Sequence, residues 1–310
     1  MKHYLVNRIF SGLIVLLGIS IFAFALIHLI PGDPIRIMLG ENATAEQVHK
    51  LREQLGLNEP LLLQYFHYLI GIFQGDLGTS FKTGRPVLIE ILERFPETVK
   101  LALSGMTVAI IVGITMGILA AKLKDTFFDF AAMSIATLGV SIPSFWLGLL
   151  LIMLFTVHLG WLPISGGTGV KDVILPAITL GVLASTVISR LTRSGMVEVL
   201  SFDYIRTARA KGLGETAVLF IHAFRNAMIP VVTIVGLQIA SLLGGTVIIE
   251  QVFDWPGLGS LAISSISSRD FPLIQGIILF IGVVFVLINI LVDIVYSLID
   301  PRIEIGSVKE

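Results

Sequence analysis

Residues 203–230, DYIRTARAKGLGETAVLFIHAFRNAMIP, form a long polar interruption between two apolar segments. Ala208 and Gly212 are spaced as two small residues one helical turn apart, with cationic side chains between them. A second, partly apolar helical pattern follows Gly214. The stretch therefore predicts two short helices joined by a turn, a unit suited to docking against another protein.

The composition of the whole chain indicates a membrane protein. Of its 310 residues, 55% are hydrophobic and 14% are charged, and the mean hydropathy is +0.92, which ordinary soluble domains do not approach. The 21 Lys and Arg residues nearly balance the 22 Asp and Glu residues, so nothing suggests nucleic-acid binding. The absence of cysteine excludes disulfides, thiolate metal ligands and a cysteine nucleophile.

Apolar stretches long enough to span a bilayer recur along the chain, since a hydrocarbon core of about 30 Å requires about 20 helical residues. The first stretch is longer than the apolar region of a cleaved signal peptide, so we expect it to be retained. The fold class predicted is an all-α integral membrane protein with six transmembrane helices. These helices are predicted at residues 9–30, 99–121, 130–158, 174–188, 229–249 and 273–297.

The region between the first two predicted spans is too polar to lie in lipid, and it is predicted to be a helical extracytoplasmic insertion. Thr44 and Gln47 match a capping box that opens a helix, which Gly56 can close. A second helix is predicted to begin at Asn58 and Pro60. Its broad apolar surface is of a kind suited to lying at the membrane interface.

The same region is predicted to end in a turn and a short helix. Gly75-Asp76-Leu77-Gly78 predicts the turn, because two glycines permit unusual backbone angles. Residues 87–94 are predicted to be helical, with the helix ending before Pro96 because the residue preceding a proline disfavours helical angles.

The distribution of positive charge predicts the orientation of the chain. Counted over short loops, cations are expected to be in excess on the cytoplasmic side. With both termini cytoplasmic, only Lys171 and Arg269 lie in short outer loops. The cations then placed inside are Lys2, Arg8, Lys122, Lys124, Arg190, Arg193, Arg206, Arg209, Lys211, Arg225, Arg302 and Lys309. The stretch 203–230 is therefore predicted to be cytoplasmic.

Polar residues within the predicted spans are candidates for lining a translocation pathway. Gln238 lies near the middle of the fifth span, where an amide needs a partner or water, and static hydrogen bonding between helices is an equally good explanation. Ser141 and Ser144 flank Pro143 in the third span, where the proline predicts a kink.

Four stretches of the sequence resemble the dipeptide, oligopeptide and nickel branch of ABC-importer permeases. They are Pro31-Gly32-Asp33-Pro34, Gly75-Asp76-Leu77-Gly78, residues 208–230 and Trp255-Pro256-Gly257-Leu258-Gly259. In the general cytoplasmic loop motif of these permeases, Glu-Ala-Ala, three residues and Gly, only Ala208 and Gly212 match. Arg206 departs from the general pattern in the way usual for the peptide branch.

The resemblance implies a permease subunit in the cytoplasmic membrane of a bacterium or archaeon. Its implied partners are the lipid bilayer, a second homologous permease, two cytoplasmic ATPase subunits and an extracytoplasmic substrate-binding protein. The chain has no phosphate-binding loop of the Gly-x-x-x-x-Gly-Lys-Ser/Thr type, so we expect it to bind no cofactor, with ATP and Mg²⁺ used by the ATPase partners. The residues expected to couple the chain to the ATPases are Asp203, Tyr204, Arg206, Ala208, Arg209, Lys211 and Gly212.

These expectations divide the chain into four parts. Residues 1–30 form the N-terminal segment and first span, and residues 31–97 form the extracytoplasmic insertion. Residues 98–300 form a five-helix permease core that includes the cytoplasmic coupling loop 190–228, and residues 301–310 form a cytoplasmic tail.

The predicted function is import of dipeptides or oligopeptides, with nickel or metal chelates and glutathione as alternative cargoes of the same type of permease. Two other classes of protein are alternatives. A membrane-embedded enzyme lacks its usual motifs here, and an ion-driven carrier is expected to show buried coupling carboxylates or broken helices in matching halves. The six histidines are scattered and form no spaced metal site.

Overall fold

The structure of the protein is a computed structural model that describes residues 2–29, 35, 44–54, 57–164 and 166–299. Within these residues the named elements are all helical, and the one extended pairing is an isolated bridge between Thr79 and Pro86. The helices are α1 (Lys2–Leu29), α2 (Ala45–Gln54), α3 (Leu61–Gln74), α4 (Val87–Lys122), α5 (Phe127–Ser141), α6 (Ser144–His158, π-helical from Ile152), α7 (Val170–Leu200), α8 (Asp203–Ala210), α9 (Glu215–Ala227, π-helical over Val218–Ala223), α10 (Ile229–Gly245), α11 (Val247–Val252), α12 (Leu258–Ser268) and α13 (Phe271–Ile299). The all-α fold class is confirmed.

Four helices of the described chain, α1, α4, α7 and α13, are individually long and apolar enough to cross a membrane. Two bent pairs raise the number of candidate spans to as many as six: α5 with α6, and α9 with α10. The directions of the paired helices differ by 107° and 55°, respectively. Length and composition therefore give between four and six spans.

The predicted end of a helix before Pro96 is wrong, because α4 runs through this proline without interruption. Proline in a helix interior removes one backbone hydrogen bond and disfavours the helix locally. Val87 and Ile91 lie in a buried cluster with Leu273 and Ile277, against which Phe95 also packs. Tertiary packing of the turns before the proline thus overrides its local preference.

The predicted kink at Pro143 is a complete break between two helices. α5 ends at Ser141 and α6 begins at Ser144, with Pro143 preceding its first turn in an extended conformation. Proline is favoured near the start of a helix because its fixed φ suits a helical turn. Its missing N–H would have no acceptor within the helix there.

The fourth predicted span, 174–188, is too short, since α7 extends from Val170 to Leu200. At its start, the Asp172 carboxylate accepts a hydrogen bond of 2.9 Å from the Gly169 backbone N–H. Beyond Arg190 one side of the helix remains buried, with Met196 and Val199 in the hydrophobic core. Charged residues on the other side therefore do not end the helix.

Two helices predicted between the first two spans are present. Thr44 and Gln47 form the expected reciprocal capping box at the start of α2, with bonds of 2.9 and 3.3 Å. α3 follows Pro60 and ends at Gly75, which has a φ of +78°. Gly56, proposed to close α2, and Pro31-Gly32-Asp33-Pro34 lie outside the described residues.

The chain forms two compact units. One comprises the described residues of Met1–Pro96 and Gly257–Ile290, and the other those of Glu97–Pro256 and Leu291–Glu310. In the second unit, α7 is the most buried of the candidate spans, and it packs against α5, α6, α10 and α11. This unit contains the stretch 203–230 and the polar residues nominated for a pathway.

Glycines allow α4 and α7 to approach very closely within the second unit. A Cβ atom added to Gly117 would lie 2.5 Å from Cβ of Thr192 and 2.7 Å from the Ser189 carbonyl oxygen. At Gly113 the added atom would lie 2.7 Å from Cβ of Ile188. These two small residues thus serve the close packing of α4 against α7.

We predict that Gly117→Ala lowers the stability of the protein, because a methyl group at this contact forces the two helices apart. Overpacking of this kind typically costs about 1–3 kcal/mol. Gly18→Ala on α1 is the matched control, since nothing lies within 4 Å of the added atom. Thermal unfolding in lipid nanodiscs should show a lower midpoint for Gly117→Ala only. Equal midpoints for the two variants would contradict the close α4–α7 contact.

Candidate functional site

The polar stretch 203–230 folds into the two helices that its pattern predicts. α8 covers Asp203–Ala210 and α9 covers Glu215–Ala227. Gly212, in the turn between them, has a φ of +80°, a left-handed conformation that glycine adopts without steric cost. The glycine therefore permits the change of direction that separates the two helices.

The inner face of α8 belongs to the main hydrophobic cluster of the second unit. Ile205 is fully buried and Ala208 is 6% exposed, and both join a cluster that contains Val218, Leu219 and Ala223 of α9. The same cluster includes buried residues of α4 and α7. The helix pair is thus packed onto the spanning helices rather than suspended as a solvated loop.

Polar contacts also fix α8 to α9. The Tyr204 hydroxyl accepts a hydrogen bond of 2.9 Å from the side chain of Asn226. Arg209 donates two hydrogen bonds to the Glu215 carboxylate, at 2.6 and 3.2 Å. These bonds raise the pKa of the Arg209 guanidinium above its usual range, so the group is charged at any physiological pH.

The outer face of the pair is polar and cationic. Asp203 and Arg206 are highly exposed, with side-chain exposures of 94% and 74%, and they form an ion pair of 3.3 Å. Lys211 is exposed beside them, and Tyr204 is 40% exposed. Ala208 is not part of this surface, because it faces the chain's own core. Its small side chain therefore serves the close packing of α8 within the chain.

The nominated pathway residues lie on helices that pack against neighbouring turns of α7. Gln238 on α10 donates a hydrogen bond of 3.1 Å to the Ala184 carbonyl oxygen. At Gly139, two residues before Ser141, an added Cβ would lie 2.8 Å from Cγ2 of Thr186. Ser141 is exposed, and Ser144 is partly buried. The structure thus gives Gln238 an interhelical hydrogen bond and leaves Ser141 accessible at the break between α5 and α6.

The sequence analysis missed a buried carboxylate next to the break between α10 and α11. Glu250 is completely buried, and one of its carboxylate oxygens accepts hydrogen bonds from the hydroxyls of Thr98 and Thr246, at 2.9 and 2.8 Å. Nearby, the Trp255 indole N–H donates to the Glu97 carbonyl oxygen at 2.9 Å. These bonds attach the residues that follow α10 to the part of α4 in the same unit.

A second missed feature is an ion pair between α5 and α7. Arg193 donates hydrogen bonds to both carboxylate oxygens of Asp129, at 2.5 and 2.6 Å. The side chains are 26% and 6% exposed, respectively. Bidentate Arg–carboxylate geometry fixes the relative orientation of its two helices better than a single contact. No sequence motif marks this pair, because its members lie 64 residues apart.

Within the described residues, no group of three or more His, Asp or Glu side chains is arranged to hold a metal ion.

Comparison with known proteins identifies the family. Residues 113–305 match the family described as binding-protein-dependent transport system inner membrane component, and residues 1–102 match the N-terminal family of the same kind of component. The glutathione transport system permease proteins GsiC of Salmonella choleraesuis (strain SC-B67) and Escherichia coli (strain K12) are 45% and 46% identical to this chain. Each match covers 98% of this chain and 99% of the relative.

The fold is also similar to that of a solved transporter. An inward-facing structure of the MetNI methionine ABC transporter matches with a TM-score of 0.58 over 68% of this chain and 96% of that one, at 16% identity. The chain belongs to the family of binding-protein-dependent transport system inner membrane components, and it is a multi-pass permease subunit of an ABC importer in the cytoplasmic membrane rather than an enzyme.

Proposed function

We propose that this permease imports a small peptide, with glutathione as the first cargo to test. The observation that carries the proposal is the 45% identity over 98% of the chain to a permease described as transporting glutathione. Glutathione is a tripeptide, so this cargo falls within the peptide class that the motifs indicate. Nickel and other metal chelates are the alternative cargo of the same type of permease.

The assembly that fits this function contains a second homologous permease, two cytoplasmic ATPases and an extracytoplasmic binding protein. In the proposed topology both termini are cytoplasmic and six helical segments cross the bilayer. The fifth span is formed by α10 and α11, whereas α8 and α9 lie on the cytoplasmic side. The chain itself binds no nucleotide or metal, and ATP and Mg²⁺ act on the ATPase partners.

The α8–α9 pair is the element we propose for coupling to an ATPase. A membrane subunit without a nucleotide site can use ATP only through a rigid contact with a subunit that has one. The exposed Asp203, Tyr204, Arg206 and Lys211 offer such a contact, while the buried Ile205 connects it to the core. Arg209, held by Glu215, and Gly212 maintain the shape of the pair.

The topology predicts which side of the membrane each loop faces. Because the chain contains no cysteine, single cysteines can be introduced directly. Lys82 and Ser264 are suitable outer positions because both are exposed, whereas the nearby Ser80 and Ser265 are buried. Cysteines at Lys82 and Ser264 should react with an impermeant thiol reagent added outside intact cells. A cysteine at the exposed Thr216 should react only after the membrane is opened, and its labelling in intact cells would overturn the orientation.

Coupling through α8–α9 predicts that Gly212→Trp abolishes transport while the protein remains inserted. The tryptophan disfavours the left-handed turn, at a cost of roughly 1–2 kcal/mol, and obstructs the surface beside it. Gly214→Trp is the matched control, since Gly214 is equally open but has an ordinary φ of −63°. Cargo uptake and stimulated ATPase activity should both be measured in the assembled transporter. Normal uptake with normal stimulation in Gly212→Trp would refute the coupling role.

The cargo proposal predicts ATP-dependent uptake of glutathione by the assembled transporter reconstituted with its binding protein. Uptake should be compared for glutathione, a graded series of dipeptides to pentapeptides, and a nickel chelate. Transport of the nickel chelate without transport of glutathione or any peptide would show that the proposed cargo class is wrong.

The same assay tests the pathway residues. Gln238→Leu removes polarity at nearly constant volume, and Ser144→Phe narrows the start of α6. If these residues line the pathway, the variants should change the ratio of uptake among cargoes of different size. If Gln238 only bonds to Ala184, its variant should lose stability, by about 0.6 kcal/mol on average for such bonds, with an unchanged uptake ratio. Unchanged ratios in both variants would remove Gln238 and Ser144 from the pathway.

A further inference from the structure

One side of α3 packs against the spanning helix α1. The Tyr65 hydroxyl is hydrogen-bonded to the Ser20 hydroxyl at 2.8 Å. The ring of Phe24 lies 5.3 Å from the ring of Tyr65 and 5.9 Å from that of Tyr68. Burial raises the pKa of Tyr68 to about 12, as expected for a phenol in apolar surroundings.

A second side of α3 carries large apolar side chains that are mostly exposed. Leu62, Phe66 and Phe73 are 84%, 59% and 88% exposed. At about 100° per residue, these three positions fall within roughly 40° of one another. Their common direction is roughly 110° from that of Tyr65 and Tyr68, so this stripe is separate from the face that packs on α1.

The third side of α3 carries the polar residues, and Leu63 and Ile70, 44% and 40% exposed, lie between it and the apolar stripe. His67 and Gln74 are exposed, and Nδ1 of His67 lies 3.1 Å from the Glu59 carboxylate. By the same geometry, this side lies roughly 110° from the apolar stripe. The helix thus presents one face to protein, one apolar face and one polar face. Its fourteen residues, LLLQYFHYLIGIFQ, include no Lys, Arg, Asp or Glu.

The contacts with α1 set the depth of α3 in the membrane. In the sequence, the apolar stretch of α1 continues to Ile30, directly before Pro31. Phe24 and Ser20 precede Ile30 by six and ten residues, which corresponds to about 9 and 15 Å at 1.5 Å per residue. Helices that lie in the interface bury their apolar faces about 5–10 Å into the headgroup and acyl boundary. The contact of α3 with Phe24 falls within this range, and the Tyr65 hydroxyl reaches deeper, toward Ser20.

We propose that α3 lies in the plane of the membrane interface, with Leu62, Phe66 and Phe73 inserted among lipid acyl chains and His67 and Gln74 facing water. Lipid is the occupant that this geometry favours, because α3 packs against α1, a candidate membrane span whose apolar stretch is only 17% buried within the described chain. The inference requires only that α1 crosses the membrane, and it is independent of cargo and orientation.

Pairs of adjacent residues provide the test. Single cysteines at Phe66 and Phe73 report on the apolar stripe, and cysteines at the neighbouring His67 and Gln74 report on the polar side. All four positions are exposed, and the cysteine at 67 removes a surface contact with Glu59. The assembled transporter, spin-labelled at one position at a time, is placed in nanodiscs of phosphatidylethanolamine and phosphatidylglycerol. Collision rates with oxygen, which concentrates in lipid, and with a water-soluble nickel chelate are then measured.

The labels at 66 and 73 should collide more often with oxygen than with the nickel chelate, and those at 67 and 74 should show the reverse. A higher collision rate with the nickel chelate at 66 and 73 would place the stripe in water and overturn the proposal. Protection of 66 and 73 from both reagents would show that a partner protein covers the stripe, and this too would overturn it.

Discussion

The close packing of α4 against α7 is the constraint on which the second unit depends. Lipid chains are as apolar as leucine, so helices in a membrane gain little from hydrophobic association and rely on contact at short distance. Four glycines make this short distance possible, because an added Cβ at each would lie within 3.0 Å of the other helix. They are Gly105, Gly113 and Gly117 on α4 and Gly181 on α7. With α4 placed, α7 becomes the central helix against which α5, α6, α10 and α11 pack.

Because α7 is buried, many of its hydroxyl groups lie away from water. Most of them donate hydrogen bonds to backbone carbonyl oxygens of the same helix. Ser185, Thr186 and Ser189 each donate to the carbonyl oxygen three residues earlier, and Thr179 donates to the one four residues earlier. Small hydroxyl residues therefore permit close packing with most of their donors paired. The buried Thr192 hydroxyl, beside Gly117, has no hydrogen-bond partner among the described residues. The buried Glu250 carboxylate has a local partner in Thr246, and it also accepts a hydrogen bond from Thr98, which lies 152 residues away. This second bond ties the end of one span to the beginning of another.

Features encoded by short stretches of sequence were predictable. The capping box at Thr44, the end of α3 at Gly75 and the turn at Gly212 each require a few neighbouring residues, and each was found as expected. The error at Pro96 came from judging the residue without its packing, whereas the change of direction predicted at Pro143 is present. Pro96 is retained inside a helix because the preceding turns are buried, whereas Pro143 begins a new helix.

The residues missed at the candidate site share a different cause. Asp129 and Arg193 are 64 residues apart. Elsewhere in the chain, Asp270 accepts hydrogen bonds from Ser80 and the backbone of Phe81, which lie 190 and 189 residues away. Such pairs have no local pattern, and only the folded chain shows them together. For Gln238 the sequence shows the polar residue in a span but not its partner. The partner is the backbone carbonyl of Ala184, and any residue type supplies such a group.

The arrangement of α8 gives a physical basis for the proposed coupling. A force applied to an exposed cation such as Arg206 acts on a short helix whose opposite face carries Ile205 and Ala208. These residues share one hydrophobic cluster with Ile188 and Met196 of α7 and with Met106 of α4. Close-packed interiors transmit displacement rather than absorb it. Movement of α8 must therefore either move the paired helices α4 and α7 or open a cavity in their shared core, and the cost of such a cavity favours the first outcome.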